Sequence, residues 1–232
     1  KVLISCISRL YDFSWVLACS NITNYNTMKK IYYLILTIYR IIKYLLSNTK
    51  RYSNILFLIL INRPITILEI GVYTGKRATE MIEAAKVFNN KIEYYGFDLF
   101  EMMNDKILKK EFSKIPLSKK KIQQKLSKIA DVKLFKGYTN KTLPKLKNKK
   151  IDFIFIDGGH AVNTIHSDWK NCKNFIKKNT IVVFDDYYLD DKKIIKKYGC
   201  NKVIDTISPK KFEKKLCKLT DSFNTNLSDK KL

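Results

Sequence analysis

At 232 residues the chain slightly exceeds the roughly 100 to 200 residues of an ordinary domain; its 46% hydrophobic content, with only 4 prolines and 7 glycines, excludes a disordered or fibrous chain. A formal net charge of +24 raises nucleic acid as a partner. However, only Arg9, Arg40, Arg51, Arg63 and Arg77 are arginines, the residue suited to forked phosphate and base contacts, so the lysine excess reads as AT-rich codon usage and goes against that partner.

Residues 1–27 show no sustained period, whereas Met28-Lys29-Lys30 opens a patterned segment, which marks Met28 as a candidate natural start. Ile31 to Leu46 has helical spacing, and Ile55 to Leu60 suits a second short helix after the break at Asn48-Thr49. Arg40 and Lys43 interrupt the first run and the second is far shorter than the roughly 20 residues a bilayer requires, so no transmembrane segment is expected. These helices are expected to cover a sheet face or a ligand cleft. The rival reading of the first is a basic amphipathic helix making peripheral contact with an acidic membrane surface.

From Ile65 to Ile70 the chain is a β-branched run of buried-strand character, and Ala78, Met81, Ile82, Ala85 and Phe88 then recur at helical spacing. Lys91 to Phe97 returns to strand character. A lysine-rich stretch follows, with Ile122, Leu126 and Ile129 marking an amphipathic helix entered near Pro116-Leu117-Ser118. Val132 to Phe135, Ile151 to Ile156 and Thr180 to Phe184 are three more short strands, and Val162, Ile165, Trp169, Cys172 and Ile176 form the stripe of a helix between the last two. Lys202 to Ile207 reads as a further strand, and the tail from Asp221 as frayed. The alternation predicts an α/β fold, a Rossmann-like, doubly wound, mostly parallel sheet with helices on both faces. The expected division is residues 1–60 as N-terminal extension and helices, 61–220 as the main domain, and 221–232 as a tail. Five cysteines, without CxxC or Cys/His ligand spacing, read as reduced thiols of a cytoplasmic protein.

The segment Glu69-Ile70-Gly71-Val72-Tyr73-Thr74-Gly75 is a strand followed by a turn with two glycines. Glycines there let backbone amides meet a ligand without a Cβ in the way, and the next helix offers its unpaired N–H groups to a carboxylate or phosphate. It matches neither GxGxxG nor the phosphate-binding P-loop, and a tight structural turn is its plainer reading. Asp98, at the end of the next strand, can accept hydrogen bonds from ribose hydroxyls or simply cap a loop. The neighbouring strands ending at Asp157 and at Asp185-Asp186 should converge three carboxylates, which suit a hard divalent cation such as magnesium. Alternatively Asp157 only borders a cofactor and Asp185-Asp186 caps a loop.

These motifs, with Gly96-Phe-Asp98, Phe155-Ile-Asp157-Gly-Gly-His160 and Val183-Phe-Asp185-Asp186-Tyr187, resemble those of class I S-adenosylmethionine-dependent methyltransferases over about residues 60 to 190. Within that superfamily the chain is most similar to the small-molecule and sugar O-methyltransferases that include the macrocin O-methyltransferase-like enzymes. The resemblance implies S-adenosylmethionine as cofactor, with Gly71, Tyr73 and Gly75 beside its methionine portion, Glu69 bracing that loop, Asp98 on the ribose, Gly137-Tyr138 beside adenine and Asp157 at its border. It also implies Mg2+ at Asp157, Asp185 and Asp186. Many metal-dependent relatives carry an acidic residue two positions after the first ligand, where this chain has Gly159 followed by His160. An imidazole can take a proton from a substrate hydroxyl, which makes His160 the candidate base beside catalytic Asp157. His160 as a metal ligand or a structural residue stays open. His166 reads as solvated and Asp168 as a surface or helix-contact residue. The expected acceptor is a small-molecule hydroxyl; an N- or RNA-directed methyltransferase and a non-catalytic cofactor-binding module are the rivals. Neither the acceptor nor the oligomeric state is encoded in a readable motif.

Overall fold

The computed structural model describes residues 25–189 and 194–221. The proposed start at Met28 turned on residues 1–24, which lie outside the described residues, as do Cys6, Cys19 and the tail after Asp221.

Two helices open the described chain, α1 (Tyr25–Leu45) and α2 (Arg51–Asn62). Then come β1 (Thr66–Ile70), α3 (Lys76–Ala85), β2 (Glu93–Asp98), α4 (Asp105–Glu111), α5 (Lys119–Leu126), β3 (Asp131–Lys136), α6 (Thr139–Thr142), β4 (Phe153–Ile156), α7 (Val162–Cys172), β5 (Ile181–Phe184) and α8 (Asn201–Thr206). The five strands form one parallel sheet in the order β3-β2-β1-β4-β5. From β1 the chain first winds outward through β2 and β3, then crosses back to β4 and β5. The reversal falls between β1 and β4, where doubly wound sheets open a crevice beyond the strand ends.

The period of two along each strand divides the core into layers. Ile67, Tyr94, Val132, Leu134, Phe153 and Phe155 face one layer, with α3, α5, and Ile41, Tyr44, Ile55, Leu56 and Ile59 of α1 and α2. Leu68, Ile70, Tyr95, Phe97, Ile154 and Ile156 face the other, against Ile165, Trp169 and Cys172 of α7. The N-terminal helices therefore cover a sheet face, as their patterning suggested. Helix α5 begins at the expected place because the Ser118 side chain accepts from the Lys121 amide at its N-cap.

One element differs from the sequence reading. Lys202 to Thr206 is helical, not a strand, with Ile207 as its C-cap: Val203 and Ile207, four residues apart, both turn into the core, a spacing that a short apolar run conceals. The Asn201 side chain anchors the start of α8 by bonding both the N–H and the carbonyl of Tyr188.

Candidate active site

The hydrogen-bond ladder of the sheet continues one step past the strand ends. Gly137 donates to Asp98, Gly71 to Phe97, Asp157 to Ile70 and Asp185 to Ile156, all backbone to backbone. This row places most of the residues singled out from sequence along one edge, beside the β1/β4 crevice.

The β1–α3 turn is tight. Gly71 has φ 91° and Gly75 φ 68°, and a Cβ on Gly71 would stand 1.9 Å from the carbonyl oxygen of Asp157. Only glycine lets β1 and β4 close to this distance. Tyr73 also lies in the left-handed region, φ 51°, with its ring exposed. The Asp98 carboxylate holds the turn: one oxygen accepts the Tyr73 amide at 2.8 Å and the other the Phe100 amide at 3.0 Å. In this structure Asp98 thus braces the glycine turn directly, and each oxygen keeps a lone pair for a ligand hydroxyl. Glu69 is fully buried and accepts from the Tyr94 hydroxyl, while its other oxygen has no hydrogen-bond partner. Burial pushes its carboxyl up to about 8, so at neutral pH it is largely a protonated acid. Gly137 has φ 129°, and the Tyr138 ring beside it is exposed.

The β4–β5 side is built differently. One donor atom each from Asp157, His160 and Asp186 lie within 4.8 Å of one another. His160 Nδ1 sits 2.6 Å from the Glu111 carbonyl oxygen, an acceptor, so Nδ1 carries the proton. Its Nε2 faces Asp186 Oδ2 at 3.1 Å. A neutral imidazole would oppose a lone pair to a carboxylate oxygen there, so this contact requires a shared proton or a cation. Burial, reinforced by Asp185 and Asp186, holds Asp157 well above the usual carboxylate range. Burial and Asp185 raise Asp186 as well.

Of the three aspartates grouped from sequence, the structure brings Asp157 and Asp186 together with His160. Asp185 instead pairs with Arg51 of α2, Nε to Oδ1 at 3.0 Å, and Arg51 also pairs with Asp221. Asp168 lies on α7 almost wholly buried, which removes the surface alternative. It accepts from the Thr139 hydroxyl on α6, its second oxygen has no partner, and burial raises its carboxyl to about 7. His166 is exposed, as expected.

A family model described as a methyltransferase domain matches residues 68–187. The chain belongs to this S-adenosylmethionine-dependent methyltransferase family. No curated protein matches the sequence. Among solved structures, the methyltransferase is similar to the O-methyltransferase TomG from Streptomyces achromogenes, involved in tomaymycin synthesis, at 15% identity and TM-score 0.47, covering 69% of this chain and 61% of that one. It is also similar to the O-methyltransferase NovP at 19% identity and TM-score 0.48, over 60% and 65% of the two chains. Podospora anserina methyltransferase PaMTH1 follows at 21% identity and TM-score 0.44, over 68% and 61%. The chain thus spans under two thirds of the length of each.

Sequence reasoning missed Glu111. Its carboxylate accepts the Ala161 amide and the Thr164 hydroxyl, and its carbonyl holds His160, so the end of α4 fixes the whole β4–α7 loop of the methyltransferase. Segment 197–200 holds the same loop from the other side, the Lys197 carbonyl accepting from Val162 and Gly199 donating to the His160 carbonyl, while Cys200 donates to the Asp186 carbonyl. Both sets of partners are far away along the chain, so no local pattern announces them.

Proposed function

We propose that this methyltransferase transfers the methyl group of S-adenosylmethionine to a hydroxyl of a small-molecule acceptor, with a divalent cation at Asp157, His160 and Asp186. The observation that carries the metal reading is the His160–Asp186 contact, in which two acceptors converge and Asp157 adds a third. Carboxylate oxygens suit magnesium or manganese, and the imidazole nitrogen tilts the set toward manganese. Such an ion, when bound, makes a coordinated hydroxyl more acidic.

The chain's own residues supply position and proton handling. The Gly71–Gly75 turn and the N-terminus of α3 present backbone amides suited to the carboxylate end of the cofactor. Asp98 holds that turn and has the lone pairs to accept from a ribose. The exposed rings of Tyr73, whose amide Asp98 holds, and of Tyr138, next to the Gly137 that donates to the Asp98 carbonyl, are suited to border the cofactor. Asp157, sealed against Gly71, joins the cofactor turn to the acidic side. His160, its tautomer fixed by the Glu111 carbonyl, directs Nε2 toward the site, where it either ligates the cation or receives the acceptor's proton. Alignment of nucleophile and methyl then accounts for most of the rate, because the methyl group leaves an already activated sulfonium. We further assign the methyltransferase domain to residues 61–220, with α1 and α2 as an N-terminal addition sharing its core.

Turnover by the purified chain over a panel of hydroxylated acceptors, with magnesium, with manganese and with chelator, tests this reading. The expected result is cation-dependent methyl transfer that the Asp186→Asn variant loses. Transfer to nitrogen acceptors alone, or full activity in chelator, would refute it.

A further inference from the structure

Helix α1 carries two apolar faces, and among the described residues the fold covers one. Tyr33, Thr37, Ile41 and Tyr44 are buried inward. Met28, Ile31, Leu34, Ile35, Ile38 and Ile42 each leave 36–50% of their surface in solvent. At 3.6 residues per turn these six form a continuous strip roughly 120° wide and about 20 Å long. No polar residue between Met28 and Ile42 falls on that arc. An exposed apolar strip of this extent marks a contact surface in a globular protein.

Charge selects the occupant. Residues 25–62, which contain both N-terminal helices, include Lys29, Lys30, Arg40, Lys43, Lys50 and Arg51 but no aspartate or glutamate. Arg40 is neutralised by Glu83 and Arg51 by Asp185 and Asp221. Lys43 and Lys50 stand exposed at the end of α1 and in the turn to α2. A second copy on this strip would oppose two hairpins without a single acid between them, in a chain whose net charge is +24. An anionic bilayer supplies the missing countercharge, accepts the isoleucines at its headgroup boundary, and lets lysine stems lie along that boundary. No described helix is long and apolar enough to cross a membrane, so the contact lies on the surface.

We propose that the outer face of α1 seats the methyltransferase reversibly on an anionic membrane surface. Because α2 begins at Arg51, which holds Asp185, this seating brings the α1–α2 turn and the acidic side of the site toward the lipid boundary. The proposal does not depend on the metal or on the acceptor assigned above.

Vesicle flotation of the full chain tests it, using phosphatidylcholine vesicles with and without phosphatidylglycerol. Binding should require phosphatidylglycerol and weaken as salt is raised. The triple variant Ile35→Ser/Ile38→Ser/Ile42→Ser should lose about tenfold or more in partitioning, with its melting temperature and S-adenosylmethionine affinity retained. Should the triple variant fail to fold, Lys43→Gln/Lys50→Gln serves instead, and should weaken phosphatidylglycerol binding by about tenfold. Failure to bind phosphatidylglycerol vesicles at low salt overturns the proposal. So does lipid binding that neither variant alters, or a chain dimer that the triple variant dissociates while lipid binding is absent.

Discussion

The two halves of the sheet's carboxyl edge solve the problem of charge in opposite ways. On the β1–β2 side, Asp98 gives each carboxylate oxygen to a backbone amide and the glycine turn is held without any cation. On the β4–β5 side, Asp157, His160 and Asp186 face one another, and burial, with Asp185 nearby, raises both carboxyls above the usual carboxylate range. The first half is satisfied by its own backbone amides, whereas the second sets two carboxyls and an imidazole against one another.

Gly71→Ala attacks the seam between the halves and should have the largest effect. Its methyl group would collide with the Asp157 carbonyl, so we expect a loss of several kcal/mol in stability and at least about 100-fold in S-adenosylmethionine affinity. Thermal melting and cofactor titration read these separately. Asp186→Asn should instead spare the cofactor and weaken manganese binding by about 100-fold, read by metal titration; equal affinity in the variant would remove the metal centre. Asp98→Ala should leave metal binding unchanged and cost about tenfold or more in cofactor affinity, since two turn amides lose their acceptor.

The smallest effect concerns Asp168, buried between α7 and α6. Its folded value of about 7 lies above that of an unfolded aspartate. The folded state therefore holds the extra proton, and stability is fully present at low pH and is lost as pH rises to about 7. Asp168→Asn should flatten this dependence, gaining on the wild type by on the order of 1 kcal/mol per pH unit between about pH 4 and pH 7. Denaturant melts at several pH values measure it, and parallel curves for the two proteins would show that Asp168 does not titrate there.

Much of the fold is legible in the sequence because parallel strands buried on both faces leave short β-branched runs, each closed here by a glycine or an aspartate. The glycine turn is readable for the same reason: its constraint is local. The acidic side is less so. Asp185 and Asp186 are adjacent, yet one turns to Arg51 and the other to His160, a choice made by α2, more than 130 residues away along the chain. Glu111 sits in a lysine-rich stretch whose charge reads as a solvated face, although its carboxylate is buried under the β4–α7 loop. Lys202 to Ile207 misleads because six residues containing three apolar ones fit a strand or a helix equally until a neighbour fixes which side is inside.

The most direct test of the central claim is calorimetric titration of S-adenosylmethionine into the full chain and its Asp98→Ala variant. The account predicts one saturable site in the wild type, weakened by about tenfold or more in the variant. Absence of binding to the wild type, or identical binding to both, would contradict it.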